Sequence, residues 1–468
     1  MAAEEDDGTG GGGNRDGDGD GDETVPTESV EEWANWSGNL TFTPEGIAKP
    51  ETEEQVQEVV QTCAEEGRTV RVVGAGHSWT PVVETDDLLV SLEEMTGMVD
   101  HDSEANTATI LGGTTLEEAA LEVQSVNLAM PNLGDVSMQT VAGAFGTGTH
   151  GTGTEFGNLA TTLRGGRMVT GTGEIREFDA DEDPEFLDAA RVSLGTLGIF
   201  TELELDLVPA YKLERREYCT TFEQCRDHIE DLERENRNFD FYWYPRSDEV
   251  KLRLLNGPGG GTDHENLAYA SLVQRETDWW NQLIPEHNEM ARQFEEMEYA
   301  VPADEAEACF LEVRDRIREE WRADAGWRVL RRTVAADDTY ISTDYGRETV
   351  TMGIIQNASL EYAEYFEDIE EIFRRYDGRP HWGKRHTRRA GELRELYPEW
   401  DRFQKIRREM DPEGVFMSDD LTELLEGDED RSPLEPESGE SGTETKTEGE
   451  QTDDEDEEEE EQAEGANT

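Results

Sequence analysis

The sequence predicts an α+β protein of two domains. Helices with capping residues alternate with short apolar strands over residues 52–125. Glycine pairs or clusters recur at 74–76, 146–153 and 195–198, the first at the end of a strand and the last entering one. At Ala210 the composition changes: the glycine clusters stop, and aromatic residues and arginine increase. A chain of 468 residues also exceeds one ordinary core.

Residues 1–31 read as an acidic, solvated arm rich in Gly and Asp, without the nonapeptide repeat that would bind calcium. Trp33 and Trp36 mark the start of order. Thr52 and Gln55 have the spacing of a capping box, and Val56, Val59, Val60 and Cys63 share one helical face before Gly67 stops the helix. An apolar strand at 69–73 runs into Gly74-Ala75-Gly76-His77-Ser78-Trp79, and Pro81 argues against a long helix there. Strands follow at 88–92 and 107–111. Thr114 and Glu117 are read as the cap of a second helix, with Leu116, Ala119, Ala120 and Val123 inward. A Pro-Asn-Leu-Gly loop at 131–134 leads into Val141-Ala-Gly-Ala-Phe-Gly-Thr-Gly-Thr-His-Gly-Thr-Gly-Thr154. There the backbone N–H groups and Thr hydroxyls of 147–153 are read as an anion nest. A hairpin turns at Gly171-Thr-Gly173, and a strand from Ile199 to 208 closes this part.

Beyond Ala210, strands are expected at 239–244, 250–255, 329–334 and 349–356, with 264–325 mostly helical. A helix over 361–376 precedes the rigid loop Gly378-Arg-Pro-His-Trp-Gly-Lys384, and two short helices follow. From Glu426 the chain is an acidic tail.

The net charge is -71; residues 1–27 and 426–468 carry -8 and -18 of it, which leaves -45 on residues 28–425. This charge opposes binding to nucleic acid phosphates. Only six lysines are present, at 49, 212, 251, 384, 405 and 446. An acidic, lysine-poor surface over a normal core fits a cytoplasmic protein working in very high salt. No apolar run reaches the length of a membrane span, and the N-terminus has no apolar signal core. The four cysteines form no CxxC and no metal-spaced pairing with histidine, so they are read as reduced, with no metal site.

The glycine motifs exclude two ligand modes. No GxxxxGK[ST] string is present, and Gly74-Ala-Gly76 lacks the third glycine of a dinucleotide fingerprint opening a helix. Several glycine loops spread over about 120 residues instead suit an extended dinucleotide lying across the domain.

In these motifs the chain resembles the FAD-linked oxidases of the vanillyl-alcohol-oxidase type. Within them it is similar to the sugar-lactone and alditol oxidases (D-arabinono-1,4-lactone, L-gulonolactone and alditol oxidases). The residues that carry the resemblance are Val72-Val-Gly-Ala-Gly-His-Ser-Trp79, Pro131-Asn-Leu-Gly134, Val141-Ala-Gly143, Thr147-Gly-Thr-His-Gly-Thr-Gly153, Leu194-Gly-Thr-Leu-Gly198, Arg332-Thr-Val-Ala-Ala-Asp-Asp338 and His381-Trp-Gly-Lys384. It covers about residues 32–425.

The resemblance implies a PCMH-type FAD-binding domain of two α/β subdomains over 32–208. A cap domain over 209–425 would form the substrate pocket, its C-terminal part packing back on the first domain. It implies FAD held by Val73, Gly74, Ala75, Gly76, His77, Ser78, Gly134, Asp135, Val141, Gly143, Gly146, Thr147, Gly148, Thr149, His150, Gly151, Gly195, Gly198, Ile199 and Lys384. His77 would be joined to the flavin 8α-methyl, and His150 would be structural or a neighbour of the pyrophosphate. Lys384 and Arg332 would serve the substrate, with His381 supporting Lys384. Gly134 would leave room for O₂.

Two positions depart from the family. Leu330 stands where the family usually has Glu, and Asp135 where alditol oxidases have Ser. Asp135 is read either as a replacement for the lost carboxylate or as a loop cap. The expected function is oxidation of a CH–OH group of a sugar lactone or polyol by hydride transfer to flavin N5, with O₂ as acceptor giving H₂O₂. The alternatives are a dehydrogenase using another acceptor and a flavin-free acidic binding protein retaining the fold.

Overall fold

The computed structural model describes residues 25–260, 267–286 and 293–427. Of the arm expected over 1–31, residues 1–24 lie outside them, as does the tail from 428, while Thr27–Glu28 forms a strand paired with Ile47 and Ala48. Three sheets organise the chain, and the whole is α+β.

The first sheet has four strands, in the order Thr27–Glu28, Gly46–Ala48, Leu88–Ser91, Val70–Val73. The last three run parallel. The helix Glu53–Glu66 covers it with Val56, Val59, Val60 and Cys63, which are buried. Thr52 caps this helix through the Gln55 N–H, and Gly67 ends it with a φ of 68°. The reciprocal half of the expected capping box is missing: the Gln55 side chain accepts from Glu51 N. The second helix is Leu116–Ser125, and its capping box is Thr115 with Glu118. Thr114 and Glu117 are one residue off, because the Thr114 hydroxyl is spent on the Leu111 carbonyl.

A five-stranded antiparallel sheet follows, in the order Ile175–Asp179, Leu163–Val169, Ile199–Asp206, Thr107–Leu111, Met98–Asp102. Its core includes Ala144, Phe145, Leu163 and Phe200. The same cluster takes in Trp382 from the 381–384 loop and Leu393, Tyr397, Trp400, Phe403 and Leu424 from the C-terminal helices and their ends.

The third sheet has eight antiparallel strands: Ser271–Trp279, Lys212–Thr221, Glu249–Asn256, Asn238–Tyr244, Val329–Val334, Thr349–Asn357, Phe294–Pro302 and Arg379–Pro380. Helices Ala306–Arg316 and Ala363–Arg375 pack on one face. The mostly helical reading of 264–325 is therefore wrong for much of the described chain up to Pro302. Ser271–Trp279 and Phe294–Pro302 are strands. The second of these carries Glu295, Glu296 and Glu298 into the interior, where they are buried.

The registers of four adjacent strands lay out a grid on the other face. Asp240 lies opposite Arg332, which lies opposite Thr351. Tyr242, Leu330, Gly353 and Glu298 form the next row. Arg328, Ile355 and Glu296 form the third. A strand presents alternate residues to one face, so these rows make one continuous floor.

Candidate active site

A cavity of about 440 Å³ lies where the glycine turns converge, and a second of about 80 Å³ lies over the sheet floor. His77, Ser78, Gln139 and Thr147 line both, so the two share a wall.

The larger cavity is within the usual range for a small-molecule site. Its wall includes residues 71–78, Gly143, Gly146, Thr147, Gly195 and Gly198. Gly76 has a φ of 67° and lies under the Trp33 ring. A Cβ on Gly74 would sit 2.4 Å from Thr140 Oγ1, so only glycine fits. Among the described residues, no acceptor takes the N–H groups of residues 74–78. Five successive unspent donors at the end of a strand thus line this cavity.

The segment 147–153, read as the nest, is partly spent: among the described residues only the N–H groups of 150–152 find no acceptor. There the N–H groups of Thr147, Gly148, Thr149 and Gly153 already donate to the carbonyls of Gly143, Phe145, Ala144 and Thr333. Residues Val141–Gly146 form a short helix capped by Thr140. Of the other predicted contacts, Val141 and Ile199 are core residues. Gly148 and Gly151 line neither cavity. Gly151 is needed for packing, since a Cβ there would meet the Leu133 carbonyl at 2.2 Å.

Sequence reasoning passed over Arg71, the arginine that lines the large cavity. It is buried, and its five bonds go to four carbonyls: Val82 (twice), Leu194, Gly195 and Phe416. Burial away from any close carboxylate lowers its pKa to about 10, against a weaker pull from Asp411. It still enters as a cation at neutral pH. A buried arginine in an otherwise apolar strand was the available signal.

The smaller cavity gathers all four expected catalytic residues, Lys384, Arg332, Asp135 and His381, with Gly134, Thr149 and His150. Arg332 pairs with Asp135, and Asp337 is instead bonded by Asn158 and Ser342. Asp135 also takes Arg253 Nη1 at 2.9 Å and the Tyr242 hydroxyl at 3.2 Å. Burial would raise its pKa, but Arg253 and Arg332 outweigh this and hold it far below the usual carboxylate range. Lys384 pairs with Glu296 and stands 4.3 Å above the Trp79 ring. The Trp79 N–H donates to the Gly383 carbonyl, which ties the 381–384 loop to the glycine motif.

His150 is enclosed by acceptors. Nδ1 donates to the Gly151 carbonyl at 2.8 Å, and Nε2 faces Glu298 Oε1 at 2.9 Å. Burial opposes its charge, but Glu298 overcomes this and raises the pKa. His381 is the reverse case. Its Nδ1 accepts the Gly383 N–H at 3.1 Å, and burial, helped by Lys384 and His150 against Glu298, lowers its pKa to about 3. His150, Glu298 and His381 offer atoms within 4.8 Å of one another. They do not make a good ligand set, since both His150 nitrogens are taken and the Nε2 of neutral His381 carries the proton. His77 stacks on Trp36 at 5.2 Å. Burial and then Lys384 lower its pKa to about 4, so the imidazole is neutral.

Glu296 and Glu298 were also missed, because their segment reads as helix. They supply the carboxylates of this cavity beside the Asp135 cluster.

Comparison with known proteins places these features. The family model described as D-arabinono-1,4-lactone oxidase matches residues 286–424, and an FAD binding domain model matches 44–179. L-gulono-1,4-lactone dehydrogenase of Mycobacterium tuberculosis is 32% identical over 427 residues, covering 84% of this chain and 99% of that protein. Alditol oxidase of a Streptomyces species is 30% identical over 423 residues, with 84% and 99% covered. Among solved structures, cholesterol oxidase from B. sterolicum superposes with a TM-score of 0.73 at 14% identity, over 86% of this chain and 97% of that one. That last likeness concerns the fold alone.

Proposed function

Since the chain belongs to the family of FAD-dependent sugar-lactone and alditol oxidoreductases, we propose that it oxidises a CH–OH group of a sugar lactone or polyol, with O₂ as acceptor. FAD is its cofactor. One observation carries the reading. A glycine-walled cavity with five unspent N–H donors shares the His77–Ser78 wall with a small polar cavity floored by Arg332, Glu296 and Glu298.

The residues present fit the cofactor. The N–H groups of 74–78 would take the pyrophosphate, with the Arg71 charge behind them, and Gly143, Gly146, Thr147, Gly195 and Gly198 leave space along the wall. His77, neutral and held by Trp36, would be the point of covalent attachment. Bound FAD supplies the hydride acceptor.

The chain's own residues do the rest. Arg332 and Lys384 hold the substrate oxygens by charge-assisted hydrogen bonds. The imidazolium of His150, fixed by Glu298, adds positive charge behind them. His381, neutral, supports the Lys384 loop through the Gly383 N–H. Trp79, Leu330 and Ile355 give the site an apolar lining that limits water. Gly134 lines the side of the cavity from which O₂ would approach. Among the described residues no helix is long and apolar enough to cross a membrane. The four free cysteines support a cytoplasmic setting.

Purified protein should be yellow, and its band on a denaturing gel should fluoresce after acid treatment. Aldonolactones and alditols in molar salt should bleach the flavin anaerobically and release H₂O₂ in air. A colourless protein overturns the reading. Colour lost on denaturation overturns only the His77 bond, and turnover with a dye but without H₂O₂ makes the protein a dehydrogenase.

A further inference from the structure

Oxidation of a hydroxyl to a carbonyl releases a proton as well as a hydride, so the small cavity needs a base. Its titratable lining residues are His77, Asp135, Tyr242, His150, Glu296, Glu298, His381 and Lys384. Most are already committed. Asp135 is bound by two arginines and a tyrosine hydroxyl. Among the described residues Glu298 leaves Oε2 unbonded beside Gly353. Its Oε1, however, holds His150, whose charge outweighs burial and keeps this carboxyl far below the usual carboxylate range, a poor proton acceptor. Both nitrogens of His150 are bonded. His381 uses Nδ1 on Gly383 and carries its proton on Nε2. Lys384 is a paired cation, burial keeps the phenol proton on Tyr242, and His77 is the residue read as the cofactor's attachment point.

Glu296 is different. One oxygen, Oε2, meets Lys384. The other, Oε1, takes no hydrogen bond from the described residues and leans over Gly353, whose Cβ would stand only 2.7 Å from it. The missing side chain at 353 is thus what gives this oxygen its space. On the far side of Gly353 lies Leu330, also on the cavity.

We propose that Glu296 is the base of this site, taking the proton of the substrate hydroxyl whose carbon is oxidised. This rests on the oxidoreductase reading above. The substrate O–H bond breaks toward Glu296 Oε1, which ends protonated. The C–H hydrogen leaves with its electron pair to the oxidised cofactor, and the C–O bond becomes double. Charge also balances locally. Before the step Lys384 is paired with the Glu296 carboxylate. After it Glu296 is neutral, and the Lys384 charge is free to offset the negative charge delivered with the hydride. The proton passes to solvent when the product leaves. The surroundings favour this use: burial and the neighbouring Glu298 push the Glu296 pKa up, against Lys384 and Arg332, so protonation is within reach.

The test uses the FAD-loaded full chain. Glu296→Gln should keep its flavin content and its melting temperature within a few degrees, and should lose about 100-fold or more in the rate of anaerobic flavin bleaching. The fall of kcat/KM toward acid pH should vanish in this variant. Infrared difference spectra of the wild type on reduction should show a new protonated-carboxyl band, absent in Glu296→Gln. A carboxylate brought in from across Gly353, by Leu330→Glu in the Glu296→Gln background, should restore at least about 10-fold. A Glu296→Gln enzyme within about threefold of wild type, or an unchanged carboxyl band, overturns the assignment. Failure of every lactone and polyol to bleach the wild type would instead overturn the oxidoreductase reading on which it rests.

Discussion

At the scale of single residues, His150 shows how geometry sets charge. Both ring nitrogens face acceptors, a carbonyl and a carboxylate, so the ring is held as an imidazolium. A group whose folded pKa lies above its ordinary value stabilises the fold below that ordinary value, here 6.5. The contribution is lost as pH rises through the folded pKa. Wild-type protein should therefore melt at progressively lower temperature as pH rises above neutrality. In Glu298→Gln, where the folded pKa of His150 falls back, that alkaline decline should flatten; scanning calorimetry across pH 6 to 9 on both proteins checks it. An equal slope in the two would show that the pair is not what holds the proton. The fate of Asp135 follows the same logic. Its sequence position left two roles open, loop cap or substituted substrate carboxylate. The structure shows it bound by Arg332, Arg253 and Tyr242, which makes it an anchor for the cations of the floor.

At the scale of elements, what the sequence revealed depended on which signal was local. The strand at 70–73, the hairpin around Gly171 and Gly173, and the face of the helix at 53–66 follow from nearby residues, and all appear where expected. Phe294–Pro302 does not. Glu-Glu-Met-Glu contains no β-branched residue and three acids, which favours helix locally. What makes it a buried strand is tertiary: Arg385, Lys384 and His150 come from distant segments to neutralise Glu295, Glu296 and Glu298. The site was legible as motifs, but the carboxylate side of it was not, because its partners are far away in sequence. Arg71 is a similar case. It joins the 70–73 strand to the carbonyls of Val82, Phe416 and the 194–195 turn, where Leu194 sits at a positive φ of 55°. Arg71→Lys keeps a cation in the strand but gives up the planar fork that reaches several carbonyls at once. The variant should lose its hold on FAD before it loses its fold. Absorbance at 450 nm per protein after gel filtration should drop at least severalfold while the far-ultraviolet dichroism stays; full retention of flavin would remove Arg71 from the cradle.

At the scale of the whole molecule, the charge of -71 separates self-repulsion from everything local. At low salt the Debye length, about 10 Å at 0.1 M, lets carboxylates on neighbouring surface segments repel one another; at 1 M it is about 3 Å and they hardly interact. The ion pairs of the small cavity are buried and are screened far less. Salt should therefore raise the melting temperature without weakening the site. The rise should be steep between about 0.1 and 1 M KCl and shallow above, if screening is the cause. A rise that continues undiminished to 3 M would point instead to cations and water held by the carboxylates. The ends of the chain can be separated from its body. Residues 28–425 keep -45 of the charge, so a chain trimmed to 25–427 should retain most of the salt dependence. If trimming abolished it, the repulsion would reside in the acidic ends, and the body would be an ordinary acidic enzyme.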